Sequence, residues 1–227
     1  MMYQQKEMIF ISSYKIVYKG GQGEIEVKKS KFIATIAPVN TEEEAIAFID
    51  DMKKKYYNAT HNCSAYIIGE NNEITRFSDD GEPSRTAGLP MLDVLLGEKL
   101  HNVVAVVTRY FGGTLLGTGG LVRAYSDATK EGLMHSTIIE KHKGNKIHLK
   151  MDYTSLGKVQ YILAENQIPI LDTIYTDSVE ITYVSPADTT DKIKKELLEA
   201  TSASIEITPK SEIYYSTDSG KLLLFDS

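Results

Sequence analysis

Five consecutive apolar residues, Val103-Val104-Ala105-Val106-Val107, leave no polar side for a strand built from them. Such a strand must lie at the centre of a sheet that is covered on both faces. Directly after it, RYFGGTLLGTGG (Arg109 to Gly120) is a glycine-rich loop, and Leu121, Ala124, Tyr125 and Ala128 then recur at helical spacing. The chain therefore reads strand, glycine loop, helix. Upstream, Tyr14 to Tyr18 and Glu24 to Val27 flank Gly20-Gly21-Gln22-Gly23, which predicts a hairpin with positive φ in its loop. Phe32 to Pro38 predicts another strand. Thr41 and Glu44 have capping-box spacing ahead of Ala45, Ile46, Phe48, Ile49, Met52 and Tyr56, a run of helical period. Ser64 to Ile68 and Ile74 to Phe77 are expected to pair across Glu70-Asn71-Asn72, and Met91 to Leu96 to form a short helix with Pro90 in its first turn.

The polar stretch Glu140 to Asn145 breaks this pattern and is expected to separate two domains. Beyond it come a strand (Lys146 to Met151), a helix (Ser155 to Asn166), two strands (Leu171 to Thr176, Val179 to Val184), a helix (Asp188 to Ala200) and a strand (Ile205 to Tyr214). That βαββαβ order is the ferredoxin-like sandwich, two helices on one face of an antiparallel sheet. The expected class is α+β, with domains at 12–140 and 144–216 and a tail at 217–227, a polar turn plus Leu222-Leu223-Leu224-Phe225 without an assigned role.

At 227 residues, with 42% hydrophobic and 25% charged residues, the chain has the composition of globular material. Its formal charge of -6 argues against a dedicated polyanion binder, although a local basic patch is compatible with an acidic average. No apolar run reaches bilayer length and the start, MMYQQKEMIFISS, lacks a secretory pattern, so a cytoplasmic location and no membrane contact are expected. One cysteine, Cys63, excludes an internal disulfide and supplies too few thiols for structural zinc.

All four arginines, Arg76, Arg85, Arg109 and Arg123, fall in one stretch with half of the glycines and the acidic run Asp79-Asp80-Gly81-Glu82. Every other cation is lysine. Arginine in this place points to the planar fork, which grips carboxylate or phosphate at two points. In the glycine loop, Gly112, Gly113, Gly117, Gly119 and Gly120 would let main-chain amides approach an anion ahead of a helix N-terminus. The same glycines would equally make a tight, close-packed turn. The spacing is neither a P-loop, since Thr118-Gly119 stands where Lys-Ser/Thr belongs, nor a dinucleotide fingerprint, since Val122 takes the third glycine position.

Asp79, Asp80 and Glu82 would suit magnesium, or would serve as partners for the arginines in a network tying the two loops together. His61 and Cys63 lie two apart and so could share a strand face as base and nucleophile. No third group marks such a pair, and His61 beside the acidic loop is the better general base. Tyr110 and Phe111 could stack on bases of single-stranded RNA, or pack in the core.

FSDDGEPSRTAGLPML (Phe77 to Leu92) followed by VVTRYFGGTLLGTGGLVRAYSDA (Val106 to Ala128) resembles the signature of the IMPACT/YigZ family. ATHNCSAY (Ala59 to Tyr66) and SKFIATIAPV (Ser30 to Val39) are similar to its upstream motifs, so the likeness covers about residues 12–138. Residues 144–215 resemble the small C-terminal domain of bacterial members. The resemblance implies an N-terminal domain with the fold of a ribosomal small-subunit protein's second domain, a left-handed βαβ type shared with elongation factor G and galactokinase-type kinases. It also implies a C-terminal domain similar to a ferredoxin-like domain of elongation factor G.

Both implications point to translation and RNA. Eukaryotic relatives regulate translation by competing for the partner of a stress-response kinase, but they carry an extra N-terminal module, so that partner is not carried over. The family usually has Gly where this chain has Arg85. Carried over residue by residue, its functional surface would comprise Asp79, Asp80, Gly81, Glu82, Thr86, Gly88, Arg109, Tyr110, Gly112, Gly113, Gly117, Gly119, Gly120 and Arg123. No catalytic assignment comes with it.

The expected function is a non-enzymatic, translation-associated binding protein that seats RNA, the ribosome or an acidic protein partner on this surface, with no cofactor and no DNA specificity. The alternative is a magnesium-dependent nucleotide- or phosphate-handling enzyme with His61 or Asp80 as base. A pure protein-interaction module is the third reading.

Overall fold

The computed structural model describes residues 13–218 and 221–225. The stretch preceding Ser13, from which no secretory leader was expected, lies outside the described residues, as does the end of the tail. Tyr14–Glu140 form one compact unit, and the chain from Lys141 onward belongs to a second.

The first unit contains β1 (Ser13–Lys19), β2 (Gln22–Val27), β3 (Ser30–Pro38), α1 (Glu42–Lys55), β4 (His61–Ile68), β5 (Ile74–Ser78), α2 (Gly88–Gly97), β6 (Leu100–His101), β7 (Val103–Tyr110) and α3 (Thr118–Met134). Its antiparallel sheet has the order β2-β3-β7-β4-β5, which places Val103–Val107 in the middle strand as its two-sided apolarity requires. Strand alternation then sorts the faces. Val103, Ala105 and Val107 pack with Met91 and Leu95 of α2 and with Leu121, Ala124, Tyr125 and Ala128 of α3. On the other side, Val104 joins Tyr66, Ile68 and Ala45 of α1, with Phe48 and Ile49 against them. The β3-α1-β4 crossover skips one position, and β7 fills it antiparallel to both neighbours. At the start of α1, the Thr41 hydroxyl accepts the Glu44 amide, while the Glu44 carboxylate accepts the amide of Asn40, one residue earlier than an ideal capping box.

The glycine-rich hairpin expected between Tyr14 and Val27 does not form. β1 instead pairs in parallel with β6, and β2 pairs with β3 in the other sheet. Gly20 and Gly21 serve close approach: a Cβ on either would collide with backbone, of Ile36 and of His135 respectively. The tight turn of this region is Lys28-Lys29, joining β2 to β3 with φ of 47° and 67°. Both values lie in the left-handed region that a two-residue hairpin of this hand demands and a lysine resists. Replacing Lys28-Lys29 by Asn-Gly is therefore expected to stabilise the unit by about 1–2 kcal/mol, read as a higher thermal midpoint and slower amide exchange in β2 and β3.

The second unit builds on β8 (Thr137–Met151), α4 (Tyr153–Glu165), β9 (Ile170–Tyr175), β10 (Val179–Pro186), α5 (Thr190–Ala200), β11 (Glu206–Asp218) and β12 (Lys221–Phe225). Its strands run β9-β10-β8-β11-β12 with antiparallel neighbours, the strand order of a ferredoxin-like sandwich with one strand added at the edge. Ile147, Leu149, Ile181 and Tyr183 form its core with Val159 and Leu163 of α4 and Ile193 and Leu197 of α5. Two sequence expectations change here. The polar run Glu140 to Asn145 does hold the division between the two units, but as strand and not as a break: it is part of β8, because Asn145 and Gly144 pair with Ser185 and Pro186 on one side and Glu212 and Ile213 on the other. Leu222 to Phe225 of the tail acquire a role as strand β12 on β11. Among the described residues no helix is long and apolar enough to cross a membrane.

Candidate functional site

The acidic loop is ordered from within. Asp79 Oδ1 accepts the amides of Ala87 (3.1 Å) and Gly88 (2.9 Å), and its Oδ2 that of Arg85 (2.7 Å). Ala87, the N-cap of α2, has no side chain able to cap, so Asp79 performs that task from eight residues upstream. Asp80 is equally engaged, by the Asn62 amide at 2.7 Å and by Lys53 Nζ at 3.3 Å. Asp79→Ala is expected to cost about 2 kcal/mol, because three charge-assisted bonds vanish at a helix start. Loss of exchange protection confined first to the opening turn of α2 would show it.

Glu82 is the centre of the site. Its side chain is only 3% exposed, and Oε1 accepts both Arg109 Nη1 at 2.6 Å and the Tyr125 hydroxyl at 2.7 Å. His61 Nε2 lies 3.8 Å from the same oxygen. The imidazole is oriented by the Asp80 carbonyl, 2.8 Å from Nδ1; a carbonyl only accepts, so Nδ1 carries a proton. Burial above all, then Cys63 and Glu82, pushes the Tyr125 phenol far up, so it remains a neutral donor. The Arg109 guanidinium lies between the rings of Phe32 and Phe111, at 5.4 and 5.5 Å from their centroids. Its Nη2 reaches Ser30 Oγ at 3.4 Å, whereas its buried Nε has no acceptor among the described residues.

Over this cluster opens a cavity of about 420 Å³, lined by Thr60, His61, Glu82, Pro83, Arg109, Phe111 and the glycine-loop segment Leu115 to Thr118, with Leu121 behind. Both loops singled out from the sequence thus border one concavity. Gly117, at φ 75°, is the N-cap of α3 and brings no side chain to the helix start, so the first amides of a 17-residue helix lack a side-chain cap. Gly112 is a packing residue: a Cβ there would overlap the backbone of Lys29 and Ser30, and its amide donates to Ser30 Oγ at 3.1 Å.

The sequence profile of the Impact N-terminal domain matches residues 28–133, and that of a domain of unknown function, DUF1949, matches residues 149–204. The IMPACT family member YvyE of Bacillus subtilis is 48% identical over 180 residues, covering 79% of this chain and 83% of that protein. This chain belongs to the IMPACT family. A second family member, YigZ of Escherichia coli, is 34% identical over 184 residues, 80% of this chain and 90% of its own. A solved structure described as a crystal structure of a hypothetical protein aligns over 88% of this chain and 98% of that one, at a TM-score of 0.57 and 32% identity.

Three of the segments singled out from the sequence, those containing His61, Glu82, and Arg109 with Tyr125, therefore meet at one carboxylate. Of the four arginines only Arg109 lines the cavity. Arg76 is exposed on β5, 3.8 Å from Glu42; Arg123 is exposed on α3; Arg85 is exposed at φ 61°, a conformation that suits a glycine better than an arginine. Tyr110 donates to Asn58 at 3.0 Å, away from the cavity lining. Gly113 and Gly119 stand in open space and Gly120 packs on Leu116. The acidic loop fits magnesium poorly, since Asp79, Asp80 and Glu82 already accept bonds from the protein, and among the described residues no group of three or more His, Cys, Asp or Glu is placed to hold a metal. Cys63 is sealed in the core, donates to the Asp79 carbonyl at 3.0 Å, and has its thiol pushed well up by burial, which leaves it inert as a nucleophile.

Sequence reasoning passed over Tyr125, Leu115 and Leu116 as site residues. Signals existed for all three. A tyrosine on the buried stripe of a helix needs a partner for its hydroxyl, and two leucines amid glycines and threonines stand out as apolar contacts in an otherwise polar loop.

Proposed function

We propose that this chain is a translation-associated binding protein of the cytosol, whose N-terminal unit seats an apolar segment of a protein partner in the cavity between the two loops. One observation carries the choice of a protein over RNA. At the cavity Leu115 is 83% exposed and Phe111 46%, while the only guanidinium lining it is 5% exposed and neutralised by Glu82. An RNA groove needs uncompensated cations along a backbone track, whereas an exposed aliphatic beside an aromatic and a concavity is the anatomy of an interface hot spot. The magnesium-enzyme alternative loses support because its carboxylates are committed to loop structure. Translation enters through the family likeness.

The test compares wild type with Leu115→Asp in capture from a nuclease-treated extract, alongside titration with structured and single-stranded RNA over a salt series. The expected result is one defined protein of the translation apparatus, retained after nuclease and weakened at least about tenfold by the substitution. Saturable, salt-dependent RNA binding with no nuclease-resistant partner would overturn the reading.

A further inference from the structure

We propose that the partner segment seated in the cavity is acidic on both sides of its apolar residue, and that two exposed turns, Lys28-Lys29 and the one at Arg85, hold those acidic groups. This rests on the protein-binding reading above and specifies the chemistry of the segment bound.

The cations around the cavity fall into two classes. Those on strands and helices are paired within the unit: Arg109 with Glu82 at 2.6 Å, Lys53 with Asp80 at 3.3 Å and Lys31 with Glu24 at 2.7 Å. Lys28, Lys29 and Arg85 are different. All three are exposed, and among the described residues no carboxylate lies within ion-pair distance of their side chains. All three also hold left-handed backbone, at φ of 47°, 67° and 61°, where glycine or asparagine would sit with less strain. Neither internal pairing nor backbone preference accounts for a cation at these places. Strain of this kind gathers at ligand clamps, where a bound group uses what folding does not.

The two turns flank the hollow. The Lys29 backbone lies against Gly112, the neighbour of the lining residue Phe111, and Arg85 follows the lining residue Pro83 by two positions. The first turn leads into β3, and the second is tied to β4 by Asp79, whose carbonyl accepts the Cys63 thiol and whose carboxylate accepts the Arg85 amide. Only β7 runs between β3 and β4, so the flanks stand two strand spacings apart, about 10 Å, which an extended segment covers in about three residues. Phe111, Leu115 and Leu116 line the space between them. The order across the site is positive, apolar, positive, and its complement is a chain that reads acidic, apolar, acidic. A nucleic-acid strand carries its charge in an unbroken row and brings no aliphatic group to Leu115.

The test is amide-resolved NMR titration of the full chain with three capped hexapeptides, each with two central leucines flanked by glutamates, by glutamines or by lysines. The glutamate peptide is expected to bind with a dissociation constant of about 0.1–1 mM. The glutamine peptide should bind about tenfold more weakly and the lysine peptide not measurably, because the exposed ion pairs are lost in one and reversed in the other. Raising salt from about 0.02 M to about 0.2 M should remove most of the difference between the first two. Lys28→Asn with Lys29→Gly is expected to raise the thermal midpoint and yet weaken the glutamate peptide several-fold, with the glutamine peptide unchanged. Arg85→Gly should weaken it likewise without lowering the midpoint. Lost binding in a protein at least as stable does not come from unfolding. Equal binding of the glutamate and glutamine peptides, binding indifferent to these substitutions, or no binding overturns the proposal. So does an oligouridylate that binds as tightly as the glutamate peptide and is weakened by the same substitutions, which would assign the turns to phosphates. If the peptides fail while Leu115→Asp still abolishes capture of the partner, the acidic assignment falls and the protein-binding reading stands.

Discussion

Glu82→Ala is expected to lower the stability of the N-terminal unit by about 3–5 kcal/mol, the usual penalty for deleting one member of a buried ion pair. Glu82 is 3% exposed at its side chain and Arg109 6%, so the guanidinium left behind has little access to water. The Tyr125 hydroxyl loses its acceptor at the same stroke. Most of the penalty belongs to these stranded donors rather than to the lost attraction, and that makes a second prediction within the first. Glu82→Met combined with Arg109→Leu should cost clearly less than the sum of the single changes, because the pair is removed along with its desolvation penalty. Thermal unfolding of all the variants, with exchange protection followed in β7 and α3, measures both effects. A Glu82→Ala protein with unchanged midpoint would mean that water reaches Arg109 freely, against the burial on which the site is built.

Some of this fold was legible because local chemistry and tertiary demand agree. Val103–Val107 can only be covered on both sides, and β7 is so covered. Thr41 and Glu44 mark the start of α1, and the element order after Lys146 produces the sandwich of the second unit. Elsewhere the decisive partner lies far along the chain. Gly20 and Gly21 look like turn residues, yet what excludes a side chain there is the backbone of β3 and of the residue following α3. The polar run at 140–145 resembles a linker only until strands on both sides supply its backbone partners.

At the site the acidic residues among the arginines foreshadowed pairing between the loops, but not which pair is buried. Arg109 on the central strand is drawn under α3, whereas Arg76 on edge strand β5 stays in solvent. Position in the sheet made the difference, and position follows from pairings that no local pattern encodes.

The same lesson gives the second large effect. Gly112→Ala is expected to destabilise the unit by about 3 kcal/mol or more, at the upper end of overpacking penalties. The added methyl meets backbone on a rigid turn, that of Lys29 and Ser30, and not the yielding end of a side chain. To make room the glycine loop must lift from the β2-β3 turn, which breaks the Gly112 amide bond to Ser30 Oγ and disturbs the hydroxyl that Arg109 Nη2 also uses. Gly119→Ala, seven residues on, is the matched contrast. There the methyl enters open space in the first turn of α3, so the change should stabilise by about 0.5–1 kcal/mol through helix propensity. The two glycines are indistinguishable as members of one loop sequence. Thermal midpoints that move in opposite directions would show that the first is held by what it touches and the second by nothing that folding requires. A tolerated Gly112→Ala would mean that the loop does not rest on the β2-β3 turn, and the wall of the cavity formed by Phe111 would then have to be rebuilt.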